Sequence, residues 1–137
     1  MEVDWELEDW LLAAGERAER KSIAGDSLTA TERLIREFWV FDIHTQNGGV
    51  SQYFANHEPA QWVALKAAWL PTRCPGLGPI IAAVDRVIAG AADPYLATLN
   101  ASPGIEEFYE AHRSGVQREL RRLATEAEPG AAADGGA

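Results

Sequence analysis

The sequence predicts an all-α fold, a compact irregular bundle of about six or seven helices, on three observations. Apolar residues recur at helical spacing in several separate segments, capping signals stand where those segments begin, and no segment alternates apolar and polar residues as a half-buried strand would. The 137 residues suffice for one hydrophobic core, and 47% apolar content with five Trp, four Phe and three Tyr excludes the composition of a disordered chain. One helical domain is expected over residues 1–125. The remaining residues, 126–137, are Ala, Gly, Pro and acid, with too little apolar surface to offset the entropy of ordering them, and a disordered tail is expected there.

The first helix is expected from about Val3 to Lys21, with Val3, Leu7, Trp10, Leu11, Ala14 and Ala18 forming the stripe that faces the core. Acids crowd its first turns and Arg17, Arg20 and Lys21 its end, as the helix dipole favours. Thr29 and Glu32 have the spacing of a capping box and open a second helix. That helix carries Leu34, Ile35, Phe38, Trp39, Val40, Phe41 and Ile43 around nearly its whole circumference, the pattern of a helix surrounded by others.

Asn47-Gly48-Gly49 ends the central helix, because Asn and Gly tolerate the left-handed backbone that closes a helix. A short helical segment, Ser51 to Asn56, precedes Pro59, which suits the first turn of a helix bearing Trp62, Leu65, Trp69 and Leu70. Pro71, Pro75 and Gly76 break that helix. Leu77, Ile80, Ile81, Val84, Val87 and Ile88 mark a second core helix running up to Gly90. Asp93-Pro94 opens a short helix through Leu96 and Leu99, and Asn100 to Gly104 forms a loop. The last helix, about Ile105 to Thr125, places Ile105, Phe108, Tyr109, His112, Val116, Leu120 and Leu123 on one side.

Charge and composition narrow the function classes. A net charge of -9 repels nucleic acid and anionic membranes, so direct nucleic-acid binding is not expected, while a basic protein would be attracted. No apolar run approaches the roughly 20 residues of a membrane span. With one cysteine, Cys74, and no leader-like opening, a reducing cytoplasm is the expected location.

Asp42, His44, Asn47, Gln52 and His57 form the densest polar cluster, of residue types that metal and acid/base sites use. Their spacing argues against such a site. Residues 42 and 44 lie about 200° apart on a helix, and no HExxH-like pattern occurs. His112 falls on the apolar face of the last helix, the setting of a core histidine. Cys74 follows Arg73, a neighbour able to lower its pKa, but it lacks a resolving cysteine or a paired histidine motif. Glycine-rich phosphate loops and GxSxG settings are missing, and no cofactor is indicated.

Two features point to a binding surface. Trp5 and Leu12 project from the first helix opposite its core stripe, among acids, as an interface anchor would; a core location for both is the simpler alternative. Five of the first nine residues, Glu2, Asp4, Glu6, Glu8 and Asp9, are acidic, and they form the candidate partner-binding patch.

The run Asn47-Gly48-Gly49-Val50-Ser51-Gln52-Tyr53-Phe54-Ala55-Asn56 resembles the signature of a bacterial domain of unknown function, the family named for a DNA-mimic protein, in which an NGG turn is followed by a QYF-x-N segment. The apolar helix before it and the Trp62 to Trp69 helix after it also look like that family's pattern, over roughly Leu28 to Gly90. The resemblance implies an all-helical fold, dimerisation in some members, and for the naming member an acidic surface that imitates DNA phosphates. It also implies that Asn47, Gly48, Gly49, Gln52, Tyr53, Phe54 and Asn56 are fold determinants. Val50, His44 and the stretch His57-Glu58-Pro59 depart from the family's usual residues.

The reading that follows is a non-enzymatic, acidic protein-binding module, extending to a DNA mimic that occupies a DNA-binding protein. Two alternatives stand beside it: a small enzyme or metal-dependent protein centred on Asp42, His44 and His57, and an immunity or antitoxin-type protein binding a basic toxin.

Overall fold

The computed structural model describes residues 3–57 and 59–127, which form seven helices and, among the described residues, no strand. In chain order these are α1 (Trp5–Ile23), α2 (Ala30–Gly48), α3 (Val50–Asn56), α4 (Pro59–Trp69), α5 (Leu77–Ile88), α6 (Pro94–Asn100) and α7 (Gly104–Ala127). The all-α bundle expected from the sequence is the fold observed. Of the tail expected over 126–137, Glu126 and Ala127 instead end α7, while residues 128–137, with Glu2 and Glu58, lie outside the described residues. Among those described, no helix is long and apolar enough to cross a membrane.

Local chemistry sets the helix ends. Asp4 is the N-cap of α1, its carboxylate accepting from Leu7 N at 3.1 Å, so the helix begins at Trp5. Val3 consequently stands outside the helix and is exposed, a correction to its place on the core stripe. Leu7, Leu11, Ala14 and Ala18 are buried as that stripe requires, whereas Trp10 only half-buries against the core. Both arms of the Thr29–Glu32 capping box are formed at the start of α2. Asp93 caps α6, with Pro94 in its first turn. In α6 it is Thr98 that is buried, while Leu96 and Leu99 are exposed.

α2 is the central element and packs against α1, α3, α4 and α7. Leu34, Ile35, Phe38 and Phe41 are buried along it, but Ile43 is exposed, so one flank of the helix is open. α1 lies close because Gly15 has no side chain: a Cβ there would sit 2.3 Å from Cγ of Trp39. Phe41 is the hub of an aromatic cluster, with ring centroids 4.9 Å from Tyr53, 5.5 Å from Trp62 and 5.4 Å from Tyr109. Such tilted and edge-on pairs add to the area each ring removes from water.

Polar groups fasten the outer contacts. Asp85 of α5 accepts from Trp62 Nε1 at 2.8 Å and from Lys66 Nζ at 3.1 Å, joining α4 to α5. Arg36 spans Glu19 of α1 at 2.7 Å and the buried Glu37 at 2.9 Å, and Gln61 of α4 donates to the same Glu37. Glu119 of α7 accepts from Gly76 N at 2.8 Å, tying the loop before α5 to the last helix.

Candidate functional site

The NGG turn converts the end of α2 into the start of α3 within one residue. Gly48 is still helical; Gly49 takes φ 88° and ψ 171°, a backbone that a side chain resists, and its N–H donates to Thr45 O at 2.9 Å. Glu106 of α7 then receives the first free amide of α3, Val50 N, at 2.9 Å, and Ser102 holds its other oxygen. Val50, Tyr53 and Phe54 are buried, Gln52 lies over Gly48, and Asn56 places Nδ2 3.3 Å from Nδ1 of His44. Asn47 is exposed at the turn. The signature residues therefore divide between the turn, the core and one polar contact with α2.

The Asp42-to-His57 cluster does not converge. Asp42 is buried and turns toward α7, where Arg113 meets it through Nε at 2.6 Å and Nη2 at 2.8 Å and Tyr109 donates its hydroxyl. His44 turns toward α3 instead, with its ring 4.7 Å from that of His57 and beside Asn56. His57 in turn lies 5.1 Å from the ring of Tyr53, and burial together with the neighbouring His44 lowers its pKa. Among the described residues no group of three or more His, Cys, Asp or Glu side chains could hold a metal ion.

The acidic opening of the chain is also divided. Asp4 is spent on capping α1. Glu8 pairs with Arg113 at both oxygens, Nη2 to Oε2 at 2.7 Å, and Gln117 donates to it at 3.4 Å. Those bonds hold its carboxyl below the usual range. Burial opposes the Arg113 cation, but the hydrogen bonds it donates to Asp42 and Glu8 outweigh it and raise the guanidinium pKa; burial and Asp42 raise that of Tyr109. Glu6 remains exposed, 3.9 Å from Arg121, and Asp9 is exposed beside it on the same helix.

Trp5 and Leu12, by contrast, are surface residues: 70% and 48% of their area meets solvent. The core alternative for these two does not hold, because the buried stripe of α1 is filled by Leu7, Leu11, Ala14 and Ala18. Sequence periodicity carried that information, since positions 5 and 12 fall on the far side of the helix.

Cys74, a poor candidate on sequence, is buried, and burial with the nearby Glu119 pushes its thiol up to about 11. One other expectation is corrected: His112 is not a core residue, since it is half-exposed, stacks on Phe108 at 4.3 Å and bonds the Phe108 carbonyl at 2.9 Å. The sequence reading also missed Glu37, Glu106, Arg113 and Gln117, which look like ordinary surface polar residues until the helices are packed.

No protein-family model, curated protein or solved structure matches the chain.

Proposed function

We propose that the chain is an acidic protein-binding module that presents the outer face of α1 to a basic protein, and that it acts as a DNA mimic by occupying a DNA-binding protein in the cytoplasm. The observation that carries this reading is the solvent exposure of Trp5 and Leu12, two turns apart on one helical stripe, with Glu6 and Asp9 beside them. A large aromatic anchor on a charged rim is the composition of an interface centre, and exposing it in a monomer costs apolar area that a partner would recover. Asp4 and Glu8 contribute to the fold and to the local field, which leaves the exposed Asp9, and Glu6 in its solvent-exposed pair with Arg121, as the acids that face a partner. The net charge of -9 supplies long-range attraction to a basic surface. Resemblance to the DNA-mimic family through Asn47 to Asn56 supports the choice of a DNA-binding partner. An immunity-type protein would use the same face on a basic toxin.

The experiment is capture from a cell lysate at low salt by wild type, by Trp5→Ala/Leu12→Ala and by Glu6→Gln/Asp9→Asn. Wild type should retain a basic DNA-binding protein that duplex DNA displaces, and both paired variants should lose it. Retention equal in all three, or no retention by wild type, overturns the reading. Capture of a basic toxin that DNA does not displace would favour the immunity-type function.

A further inference from the structure

A cavity of about 300 Å³ lies between the first residues of α1 and the middle of α7. Gln117 lines it, although only 2% of that residue meets solvent. The amide nitrogen of Gln117 donates to Glu8 at 3.4 Å, but its carbonyl oxygen has no donor among the described residues. An enclosed carbonyl without a partner carries a desolvation cost that a donor would recover. Ser114, one turn earlier on the same side of α7, also lines the cavity, and its hydroxyl makes no hydrogen bond among the described residues.

The charge around these two acceptors is negative. Asp42 and Glu8 share the single guanidinium of Arg113, so one negative charge of that trio is left over. Glu110, one turn before Ser114, is exposed and uses one oxygen to accept from Gln46. Asp4, facing it from α1, uses one oxygen to cap Leu7 N. Arg118 on the rim is the opposing charge, exposed and without an ion pair among the described residues. Four carboxylates against two guanidinium groups leave the site with an excess of two negative charges.

We propose that this cavity binds an alkylammonium group, the head of a lysine side chain or of a free amine, donating to Gln117 Oε1 and Ser114 Oγ and lying between the charges of Glu110 and Asp4. The exposed side chain of Val3, also on the cavity wall, gives the alkyl stem an apolar surface. Other occupants fit less well. A divalent metal needs several oxygen ligands drawn to one point, and no three acidic, His or Cys side chains among the described residues converge in that way. A guanidinium prefers two coplanar acceptors on one group, whereas the open acceptors here are single atoms on separate side chains, which suits the tetrahedral donors of an ammonium. An anion would meet the excess negative charge.

Titration of n-butylammonium into isotope-labelled protein at constant ionic strength, followed by NMR, tests the proposal. The side-chain amide of Gln117 and the backbone amide of Ser114 should shift and saturate. Tetramethylammonium, with the same charge and no N–H donor, should bind at least about tenfold more weakly. Gln117→Leu and Ser114→Ala should each weaken binding of n-butylammonium. Glu110→Gln, on the surface and still able to accept from Gln46, should weaken it too, while Arg118→Gln should strengthen it. Thermal melts of all four variants are compared with wild type, and should Gln117→Leu unfold early, the two surface variants decide. The peptide acetyl-Ala-Lys-Ala-amide separates the sources: binding at least as tight as n-butylammonium assigns the site to a lysine of a protein, and exclusion of the peptide assigns it to a free amine. No saturable shift, tetramethylammonium binding as tightly as n-butylammonium, or affinity unmoved by both Glu110→Gln and Arg118→Gln would overturn the proposal. None of these variants touches Trp5, Leu12, Glu6 or Asp9, so their failure leaves the α1 reading standing.

Discussion

The guanidinium of Arg113 grips the carboxylate of Asp42 side-on, Nε to Oδ1 at 2.6 Å and Nη2 to Oδ2 at 2.8 Å, while its remaining face holds Glu8. One cation is thus shared by two anions from two other helices, and Tyr109 adds a hydroxyl to the Asp42 side. Groups so fully occupied by one another are matched for holding α1, α2 and α7 together.

Removing the cation leaves two carboxylates against the core without compensation. Arg113→Met should destabilise the protein by about 3–5 kcal/mol, read from urea unfolding. Arg113→Lys should recover little, because an ammonium cannot reproduce the planar fork. Adding Asp42→Asn and Glu8→Gln to Arg113→Met should regain part of the loss, as expected for residues acting as a unit.

The same network sets an acid limit. Glu8 has a folded pKa below its ordinary value of 4.5, so its contribution is complete above that pH and is lost as the pH falls through the lower folded value. Wild type should therefore lose stability steeply below about pH 4.5, whereas Glu8→Gln, already lacking the pair at neutral pH, should show a shallower decline. Urea midpoints measured down the acid range would decide it, and parallel curves would contradict the assignment.

His57 acts at milder acidity. Burial and the adjacent His44 lower its pKa from 6.5, so the folded state resists protonation and stability should drop as the pH falls below 6.5 toward the depressed value. His57→Asn should flatten that part of the profile. Imidazole resonances followed by NMR should show His57 titrating below 6.5, and a midpoint above 6.5 would contradict the assignment.

The two glycines of the NGG turn should behave differently. Gly49→Ala forces a side chain onto a φ of 88° with ψ near 171°, and its Cβ would stand 3.3 Å from Glu106 Oε2; a loss of about 1–3 kcal/mol is expected. Gly48→Ala meets the far end of Gln52, a group able to swing aside, on an already helical backbone, so its effect should be much smaller. Equal losses in thermal or urea unfolding would refute the distinction.

Helix number and order were legible because their signals are local. Thr29 with Glu32, Asp93 with Pro94, and Pro59 each mark a start within a few residues, and the buried stripes of α1 and α5 follow from spacing alone. What escaped was long-range. Asp42 and Arg113 are 71 residues apart and Glu8 and Arg113 are 105 apart, so nothing near any of them reveals that they share one site. Asp4 explains the misplacement of Val3: an acid at that position also suits a dipole-stabilised first turn, but as the N-cap it moves the helix start past Val3. Asp42 and His44 do not share a site because they lie on opposite sides of one turn of α2, which sends Asp42 toward α7 and His44 toward α3.

The Arg113 clasp also governs the order in which a nascent chain can mature. Leaving the ribosome from its N-terminus, the chain presents Glu8 and then Asp42 long before Arg113 has been synthesised. Until α7 arrives, α2 cannot bury Asp42 against its counter-ion, and α1 lacks the anchor that fixes its first turns. The clasp can therefore close only once Arg113 has left the exit tunnel, so its bonds to Asp42 and Glu8 are among the last that the nascent chain can form.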